Sequence, residues 1–189
     1  MQVILTLPDY LSLSRIPLSV LFILSFSSSN QVGFAIAMIV VVICLFTDFA
    51  DGYIARRYKI ESLRGYMLDG LGDKAFYTAI LITAVREGFT DILLCSLLII
   101  RELSLYSLRV IQPENHLLKK LRTYSLVHAF FIRVYFLSFF VVTFLNLQKT
   151  ETTQLLFWAQ GLAWIALLVG MVGLGKQAKF MWLKETSLE

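Results

Sequence analysis

The chain has 189 residues, of which 58% are hydrophobic and only 16% are charged, and its formal net charge is +4. A mean hydropathy of +0.73 is far too apolar for a domain with a polar surface, so the composition excludes a water-soluble globular protein. We expect the chain to form a single membrane domain over residues 1–189, with the lipid bilayer as its solvent.

The apolar stretches predict an all-α membrane protein, a bundle of about six transmembrane helices with a short N-terminal interfacial segment. In chain order, the predicted spans cover residues of about 12–28, 32–55, 66–86, 91–111, 122–147 and 153–176. Polar segments such as QPENHLLKKLR and QKTETT separate these spans. No internal repeat interrupts the series.

Most basic residues fall on one predicted side of the bundle, and only Arg86 and Lys149 fall on the other. Because basic loops stay in the cytoplasm, both termini and the loops at 56–65 and 112–122 are expected there. The predicted location is therefore the cell (inner) membrane, which the chain crosses several times.

Four aspartates stand where a membrane helix should be apolar, near the cytoplasmic ends of the second and third spans: Asp48, Asp51, Asp69 and Asp73. A charge costs on the order of 3 kcal/mol at the bilayer centre, so such a group needs compensating partners. Spacings of three and four residues place each pair on one helix face. The short connection between the spans permits an antiparallel hairpin that brings the two pairs together.

Carboxylate oxygens are the ligands preferred by hard divalent cations, so the four acids predict bound Mg²⁺ or Mn²⁺, with Ca²⁺ as a further possibility. Four acids exceed the usual needs of one Mg²⁺ ion, and two ions are expected. Gly52 and Ala55 follow the first pair and leave room for a ligand near the backbone, while Arg56 can reach a phosphate. Helix packing is the alternative explanation for such small residues.

The pattern Asp48-x2-Asp51-Gly52-x2-Ala55-Arg56-x8-Gly65-x3-Asp69-x3-Asp73 resembles the full motif of the CDP-alcohol phosphatidyltransferase family. The resemblance implies an active site open to the cytoplasmic interface of a six-helix bundle, often in a homodimer. The positions that resemble the family's metal-binding acids are Asp48, Asp51, Asp69 and Asp73. Those that resemble its CDP-binding positions are Asp48, Gly52, Ala55, Arg56 and Gly65. Asp73 also resembles the catalytic base, with metal ligation alone as the competing role.

The order Arg101-Glu102, Arg109, then Lys120-Leu121-Arg122-Thr123 is similar to the phosphatidylglycerophosphate synthase branch of that family. This similarity implies CDP-diacylglycerol as donor and a small phosphorylated alcohol, glycerol 3-phosphate, as acceptor. The residues expected to bind the acceptor phosphate are Arg109, Lys120 and Arg122. Loop lysines and arginines that merely set the membrane topology are the alternative reading of these positions.

The segment Pro8-Asp9-Tyr10-Leu11-Ser12-x2-Arg15 resembles a variant of that branch's Pro-Asn-x-Leu-Thr-x2-Arg opening. The chain departs from the branch at Asp9 and Ser12, and again at Gly70 and Gly72, where the branch has Pro and Ala. Other acceptors therefore stay open: phosphatidylglycerol (giving cardiolipin), inositol phosphate or serine. Close packing against a neighbouring helix is the expected role of Gly70 and Gly72, with a looser helix or a wider acceptor pocket as the alternative.

Other polar residues within the spans have structural alternatives. Arg101 and Glu102 can form an internal ion pair, and His128 and Arg133 can line the cavity or pair internally. A cation transporter and an intramembrane prenyltransferase are alternative functions for an acidic membrane protein. The acids lie near one membrane face rather than along a path through it, and only one acidic motif is present, which disfavours both. No nucleic-acid partner is expected.

Overall fold

The computed structural model describes residues 6–58, 62–111 and 122–185, without the side chains of 109, 111, 122 and 180–185. The described residues form six helices and no strand, which confirms the predicted all-α fold. These helices are α1 (Leu7–Ser25), α2 (Gln31–Tyr58), α3 (Leu63–Arg86), α4 (Ile92–Ile111), α5 (Arg122–Leu147) and α6 (Thr153–Glu185).

Helix α1 begins at Leu7, about five residues before the predicted start of the first span. Pro8 lies in the first turn, where a proline removes no intrahelical hydrogen bond. The Asp9 carboxylate accepts a hydrogen bond of 2.8 Å from the backbone N–H of Thr6, the residue that caps the helix. Leu7, Tyr10 and Leu11, which belong to the predicted interfacial segment, therefore lie in the first turns of α1.

Within the described part of the chain, four helical segments are long and apolar enough to cross a membrane: Leu7–Ser25, Gln31–Tyr58, Thr123–Leu147 and Thr153–Lys179. Helices α3 and α4 are 24 and 20 residues long, but charged residues interrupt their apolar stretches, namely the aspartates of α3 and the Arg101-Glu102 pair of α4. Large apolar side chains face outward on the apolar helices, and Phe46 and Phe157 are 70% and 71% exposed. This combination indicates a membrane protein.

The first compact unit contains residues up to Glu87 and therefore α1, α2 and α3. Helix α1 packs extensively against both α2 and α3. The sequence predicted that α2 and α3 would lie directly side by side, but the more extensive contacts of each are with α1. A Cβ on Gly72 would come within 2.6 Å of the Ser12 carbonyl oxygen. Gly72 thus permits a close α1–α3 contact, as expected from the sequence.

The second compact unit starts at Gly88 and contains α4, α5 and α6. Helix α6 packs against both α5 and α4. Its small residues line these contacts, since Ala163 and Ala166 are fully buried. A Cβ on Gly173 would lie 2.9 Å from the Cβ of Tyr124 in α5. Close helix approach through small side chains is the usual way in which membrane helices pack.

Candidate active site

The four aspartates predicted to act together do converge in the first unit; we call Asp48, Asp51, Asp69 and Asp73 the aspartate cluster. Asp48 and Asp51 project from α2, and Asp69 and Asp73 project from α3. One carboxylate oxygen from each of Asp48, Asp51 and Asp69 lies within 4.8 Å of the other two. Asp73 joins the group through its contact with Arg15 of α1.

Arg15 of α1 lies at the centre of the aspartate cluster. Its Nη1 atom is 3.3 Å from Asp48 Oδ1, 3.1 Å from Asp69 Oδ1 and 2.5 Å from Asp73 Oδ1. Its Nη2 atom donates a hydrogen bond to Oδ2 of Asp51. One guanidinium therefore joins carboxylates of two helices, which explains why α1 packs between their acidic faces.

A second contact from α1 reaches the same carboxylate. The hydroxyl of Ser12 donates a hydrogen bond of 2.9 Å to Asp51 Oδ2. Ser12 and Arg15 lie three residues apart and hence on the same face of α1. The absence of a side chain at Gly72 lets this face approach α3, because an added Cβ would meet the Ser12 backbone. Gly72, Ser12 and Arg15 together position α1 against the acids.

The aspartate cluster has a buried floor and an accessible rim. The side chains of Arg15 and Asp51 are 2% and 7% exposed. The side chains of Asp48, Asp69 and Asp73 are 54%, 42% and 50% exposed. A ligand that approaches from outside therefore meets the carboxylates of the rim, while Arg15 supports them from below.

A cleft of about 290 Å³ opens beside the aspartate cluster. Its walls come from the start of α1, the end of α2 and the start of α3. They consist of Thr6, Pro8, Asp9, Ser12, Asp51, Gly52, Ala55, Arg56, Ser62, Gly65, Tyr66 and Asp69. Four of the residues that resemble the family's CDP-binding positions line the cleft, namely Gly52, Ala55, Arg56 and Gly65. They share it with two of the acids, Asp51 and Asp69.

Two glycines shape the walls of the cleft. A Cβ on Gly52 would lie 3.2 Å from Nη1 of Arg56, so the arginine side chain folds back over the glycine backbone. A Cβ on Gly65 would lie 3.3 Å from Ser62 Oγ and 3.5 Å from Asp9 Oδ1. Ser62 caps α3, since its hydroxyl accepts a hydrogen bond of 3.0 Å from the Gly65 N–H. The helix N-terminus at this wall favours a negatively charged ligand.

At the far wall of the cleft, Asp9 forms an ion pair with Arg64. The Asp9 carboxylate is 1% exposed and accepts a hydrogen bond of 2.6 Å from Arg64 Nη2. This contact connects the first turn of α1 to the first turn of α3. Asp9 is one of the positions at which the chain departs from the phosphatidylglycerophosphate synthase pattern, and here the departure is compensated by a local cation.

The donor set of the aspartate cluster fits a hard divalent cation. All the candidate ligand atoms are carboxylate oxygens, and three of the four side chains are accessible. Oxygen donors of this kind suit Mg²⁺, Mn²⁺ or Ca²⁺, whereas zinc and copper prefer histidine and cysteine. The cluster is an acidic group that could hold a metal ion.

The residues expected to bind the acceptor phosphate are only partly within the described structure. Arg109 lies near the end of α4 and Arg122 begins α5, but their side chains are outside the described part. Lys120 lies wholly outside the described residues. Their predicted role in acceptor binding stays a prediction.

The second unit contains a buried polar group formed by Arg101, Glu102 and His128, which we call the buried triad. Arg101 Nη1 donates a hydrogen bond of 2.6 Å to Glu102 Oε1, and His128 Nε2 lies 3.1 Å from the same oxygen. His128 Nδ1 is 2.8 Å from the carbonyl oxygen of Ala166. The internal ion pair considered as an alternative for Arg101 and Glu102 is therefore present. His128 pairs internally, whereas Arg133 is exposed.

Sequence reasoning assigned no role in the site to Arg15, Ser12, Asp9 or Arg64 beyond the resemblance of the opening segment. A signal for Arg15 was present, because a lone arginine inside an apolar span needs a buried anionic partner. The four aspartates were the obvious candidates. Asp9 and Arg64 carried no comparable signal, since they are 55 residues apart and each lies near a helix end.

Comparison with known proteins shows the family of the chain. Residues 5–172 match the family model for CDP-alcohol phosphatidyltransferase, which covers most of the chain and includes helices of both units. The chain belongs to the CDP-alcohol phosphatidyltransferase family. The aspartate cluster, the cleft and Arg15 all lie within the matched residues.

Relatives within the family carry two kinds of name. A CDP-diacylglycerol–glycerol-3-phosphate 3-phosphatidyltransferase of Rickettsia felis is 32% identical over 109 residues, which are 58% of this chain and 60% of the relative. The Mycoplasma pneumoniae protein of the same name is 28% identical over 138 residues, 68% of this chain and 58% of the relative. A cardiolipin synthase (CMP-forming) / mitochondrial hydrolase fusion protein of Schizosaccharomyces pombe is 38% identical over 109 residues, 55% of this chain and 17% of the relative.

These matches are partial on both sides. The chain spans 60% or less of the length of each of these three curated relatives.

Proposed function

We propose that the chain transfers a phosphatidyl group from CDP-diacylglycerol to glycerol 3-phosphate and releases CMP. The observation that carries the proposal is the convergence of four carboxylates from α2 and α3 beside an open cleft. Family membership supports the donor half, since the cleft contains Gly52, Ala55, Arg56 and Gly65. The names of the Rickettsia and Mycoplasma relatives support the acceptor.

In this reaction a hydroxyl oxygen of the acceptor attacks the lipid-bearing phosphorus of the donor. A new P–O bond forms, the bond between that phosphorus and the bridging oxygen breaks, and CMP leaves with the electron pair. Asp73, on the accessible rim of the aspartate cluster, accepts the proton of the hydroxyl. Arg56 lies over Gly52 in the cleft and is placed to contact a donor phosphate.

We propose that Asp48, Asp51, Asp69 and Asp73 hold two Mg²⁺ or Mn²⁺ ions. When bound, such ions neutralise negative charge on the donor diphosphate and stabilise charge that develops during transfer. The cleft beside the cluster then accommodates the cytidine part of the donor, because two of its walls are glycine backbone. The lipid tails extend towards the bilayer.

For the acceptor, we propose that Arg109, Lys120 and Arg122 bind the phosphate of glycerol 3-phosphate. Arginine and lysine side chains suit a phosphate through charge-assisted hydrogen bonds. An Arg109→Ala variant should raise the KM for glycerol 3-phosphate much more than the KM for CDP-diacylglycerol. Equal changes in the two KM values would refute this role.

Phosphatidylglycerol is the second candidate acceptor, which would give cardiolipin. It is favoured by the 38% identity to the fungal cardiolipin synthase fusion protein over 109 residues. Both candidates use the same donor chemistry and the same aspartates. They differ in the molecule that carries the acceptor hydroxyl, which is a small water-soluble phosphate ester in the first case and a lipid in the second.

We also propose that the protein is a homodimer in the cell membrane, with both termini and the cleft facing the cytoplasm. The distribution of basic residues along the sequence supports this orientation. Arg56 and Arg57 at the end of α2, close to the cleft, belong to the predicted cytoplasmic side. Labelling of an introduced Ser62→Cys by a membrane-impermeant thiol reagent in oriented vesicles would test the orientation, against the buried native cysteines as background.

The deciding experiment is an acceptor panel. Purified protein in detergent is incubated with CDP-diacylglycerol, Mg²⁺ or Mn²⁺, and glycerol 3-phosphate, phosphatidylglycerol, inositol phosphate or serine in separate reactions. CMP release and the lipid product are measured. We expect CMP release that depends on glycerol 3-phosphate, with phosphatidylglycerophosphate as the product. Release that depends only on phosphatidylglycerol would favour the second candidate.

Asp69→Asn serves as the inactive control, and Glu151→Gln is its matched counterpart, because Glu151 is an exposed acid in the loop before α6. The Asn variant is expected to lose activity, whereas the Gln variant is expected to retain it. A folded protein that releases no CMP with any acceptor would overturn the enzymatic proposal. Cation flux in liposomes that is abolished by Asp69→Asn would point to transport instead.

A further inference from the structure

Arg15 is the residue that joins the whole aspartate cluster. Two atoms of one guanidinium, Nη1 and Nη2, contact carboxylates from all four aspartates and from both acidic helices. The motif that contains the four aspartates lies on α2 and α3 and does not include an arginine of α1. The geometry of the Arg15 contacts indicates what this residue does.

The guanidinium is held rigidly. Arg15 is 1% exposed, and its backbone lies in the middle of α1 next to the close approach of Gly72. The side chain cannot turn towards water without leaving the helix interface, because α2 and α3 both pack against α1. A buried arginine is tolerated only when anionic partners compensate its charge. The aspartate cluster provides that compensation.

The carboxylates that Arg15 contacts include those suited to a divalent cation. Asp48 and Asp69 each contribute one oxygen to the group of oxygens within 4.8 Å of one another, and each also places its Oδ1 atom near Nη1 of Arg15. A carboxylate oxygen close to a guanidinium is less available to a second cation, because the two positive charges repel and compete for the same lone pairs.

We propose that Arg15 is a positioning residue that shares the carboxylate oxygens of the aspartate cluster with divalent cations and so weakens metal binding. The proposal rests on the metal site in the proposed function. Arg15 fixes the four carboxylates in one place, and its positive charge limits how tightly they hold a metal ion. A moderate affinity suits a site whose ions must also contact an incoming diphosphate and release CMP.

The proposal predicts opposite changes in stability and metal affinity. Loss of the guanidinium leaves four carboxylates close together without their cation, so the protein without metal becomes less stable. The same loss removes a repelling charge from the site, so metal binding becomes tighter. A merely structural arginine would behave differently, since its removal would loosen the site and weaken metal binding.

The test measures Mn²⁺ binding to the purified full chain by the electron paramagnetic resonance signal of free Mn²⁺, together with thermal unfolding with and without Mn²⁺. Arg15→Gln is expected to lower the Kd for Mn²⁺ roughly tenfold. Its unfolding temperature should fall without Mn²⁺ and recover with it. Arg133→Gln is the matched control, because Arg133 is exposed on α5, and it should change neither quantity.

Arg15→Lys covers the case in which the glutamine variant does not fold. A lysine keeps the charge but lacks the planar fork that contacts several carboxylates at once, so its Kd for Mn²⁺ should fall by a few-fold. An unchanged or higher Kd in either folded variant would overturn the proposal. If the unsubstituted protein and Asp69→Asn bind Mn²⁺ equally weakly, the metal site of the proposed function fails instead.

Discussion

Both units of the chain bury an arginine in a helix, but the two arginines have different surroundings. Arg15 and Arg101 are each 1% exposed. Arg15 contacts four carboxylates, three of which are accessible, whereas Arg101 pairs with the buried Glu102, which also lies 3.1 Å from His128 Nε2. A group that has more carboxylates than cations and is accessible to solvent can bind cations and substrate. A buried group whose positive and negative charges balance stabilises helix packing.

This difference between the two groups can be tested by mutation. Substitutions in the aspartate cluster should affect activity more than stability. Substitutions in the buried triad should affect stability more than the activity of the folded protein. The predictions below follow in order of expected size.

The largest effect is expected for Asp73→Asn. The substitution removes a candidate proton acceptor and a metal ligand, so the rate of CMP release should fall by about a hundredfold to a thousandfold. The unfolding temperature should change little, because half of the Asp73 side chain is exposed. Initial rates at saturating substrate, together with thermal unfolding in detergent, give the two quantities. A rate within tenfold of the unsubstituted protein would contradict the proposed role.

Glu102→Gln tests the other side of the comparison. The glutamine removes the carboxylate charge that accepts a hydrogen bond from Arg101 Nη1, which should lower the free energy of unfolding by about 3 kcal/mol. Reversible unfolding in mixed detergent measures the loss, and Glu151→Gln supplies an exposed acid as control. The folded fraction should keep most of its CMP release. A stable but inactive variant would show that the buried triad belongs to the reaction.

A smaller loss is expected when the space of the buried triad is reduced. A Cβ on Gly170 would lie 2.6 Å from Arg101 Nε and 2.7 Å from His128 Nδ1, so Gly170→Ala should cost about 1–3 kcal/mol of stability. Gly161→Ala on the same helix is the matched control, because nothing lies within 4 Å of its added Cβ. Equal unfolding temperatures for the two variants would argue against tight packing around the buried triad.

The smallest effect is expected for an ion pair in the turn after α3. Partial burial alone would raise the pKa of Glu87, but hydrogen bonds from Ser28 and Arg86 and the charge of Arg86 lower this pKa below 4.5. A lowered pKa adds stability above the unfolded value, and this stability is lost as the pH falls through the folded pKa.

The contribution of Glu87 should be below about 1 kcal/mol, as is typical of ion pairs near the surface. Glu87→Gln should therefore lower the unfolding temperature slightly at pH 6 and by less at about pH 3, which lies below the unfolded pKa. The difference between the two pH values is the quantity to measure. A loss at pH 6 as large as that of Glu102→Gln would remove the contrast between a pair with an exposed arginine and a pair with a buried arginine.

Sequence reasoning predicted the parts of the site that lie close together along the chain. The spacings of Asp48 with Asp51 and of Asp69 with Asp73 follow from helix periodicity, and Gly72 was correctly expected to permit close packing. Arg15 lies 33 residues before Asp48, and its partner helices cannot be deduced from a local pattern. The same holds for Asp9 and Arg64, whose ion pair depends on how α1 meets α3.

The helices were predicted with similar limits. Apolar length located all six helices of the described residues, since each predicted span overlaps one observed helix. The start of α1 was placed too late, because Pro8 and Asp9 were compared with the family's opening segment and were not considered as residues of a helix N-terminus. Proline and an acid within the first turn are common at helix starts, and here tertiary contacts of Asp9 with Arg64 stabilise that turn.

The central claim is that the aspartate cluster performs metal-dependent phosphatidyl transfer, and CMP release tests it most directly. The measurement compares the unsubstituted protein with Asp69→Asn, using CDP-diacylglycerol and glycerol 3-phosphate with added Mg²⁺ or Mn²⁺ and with a chelator. We predict release that requires the metal ion and is at least about a hundredfold lower in the variant. Release that persists in the chelator, or equal rates in two folded proteins, would contradict the account.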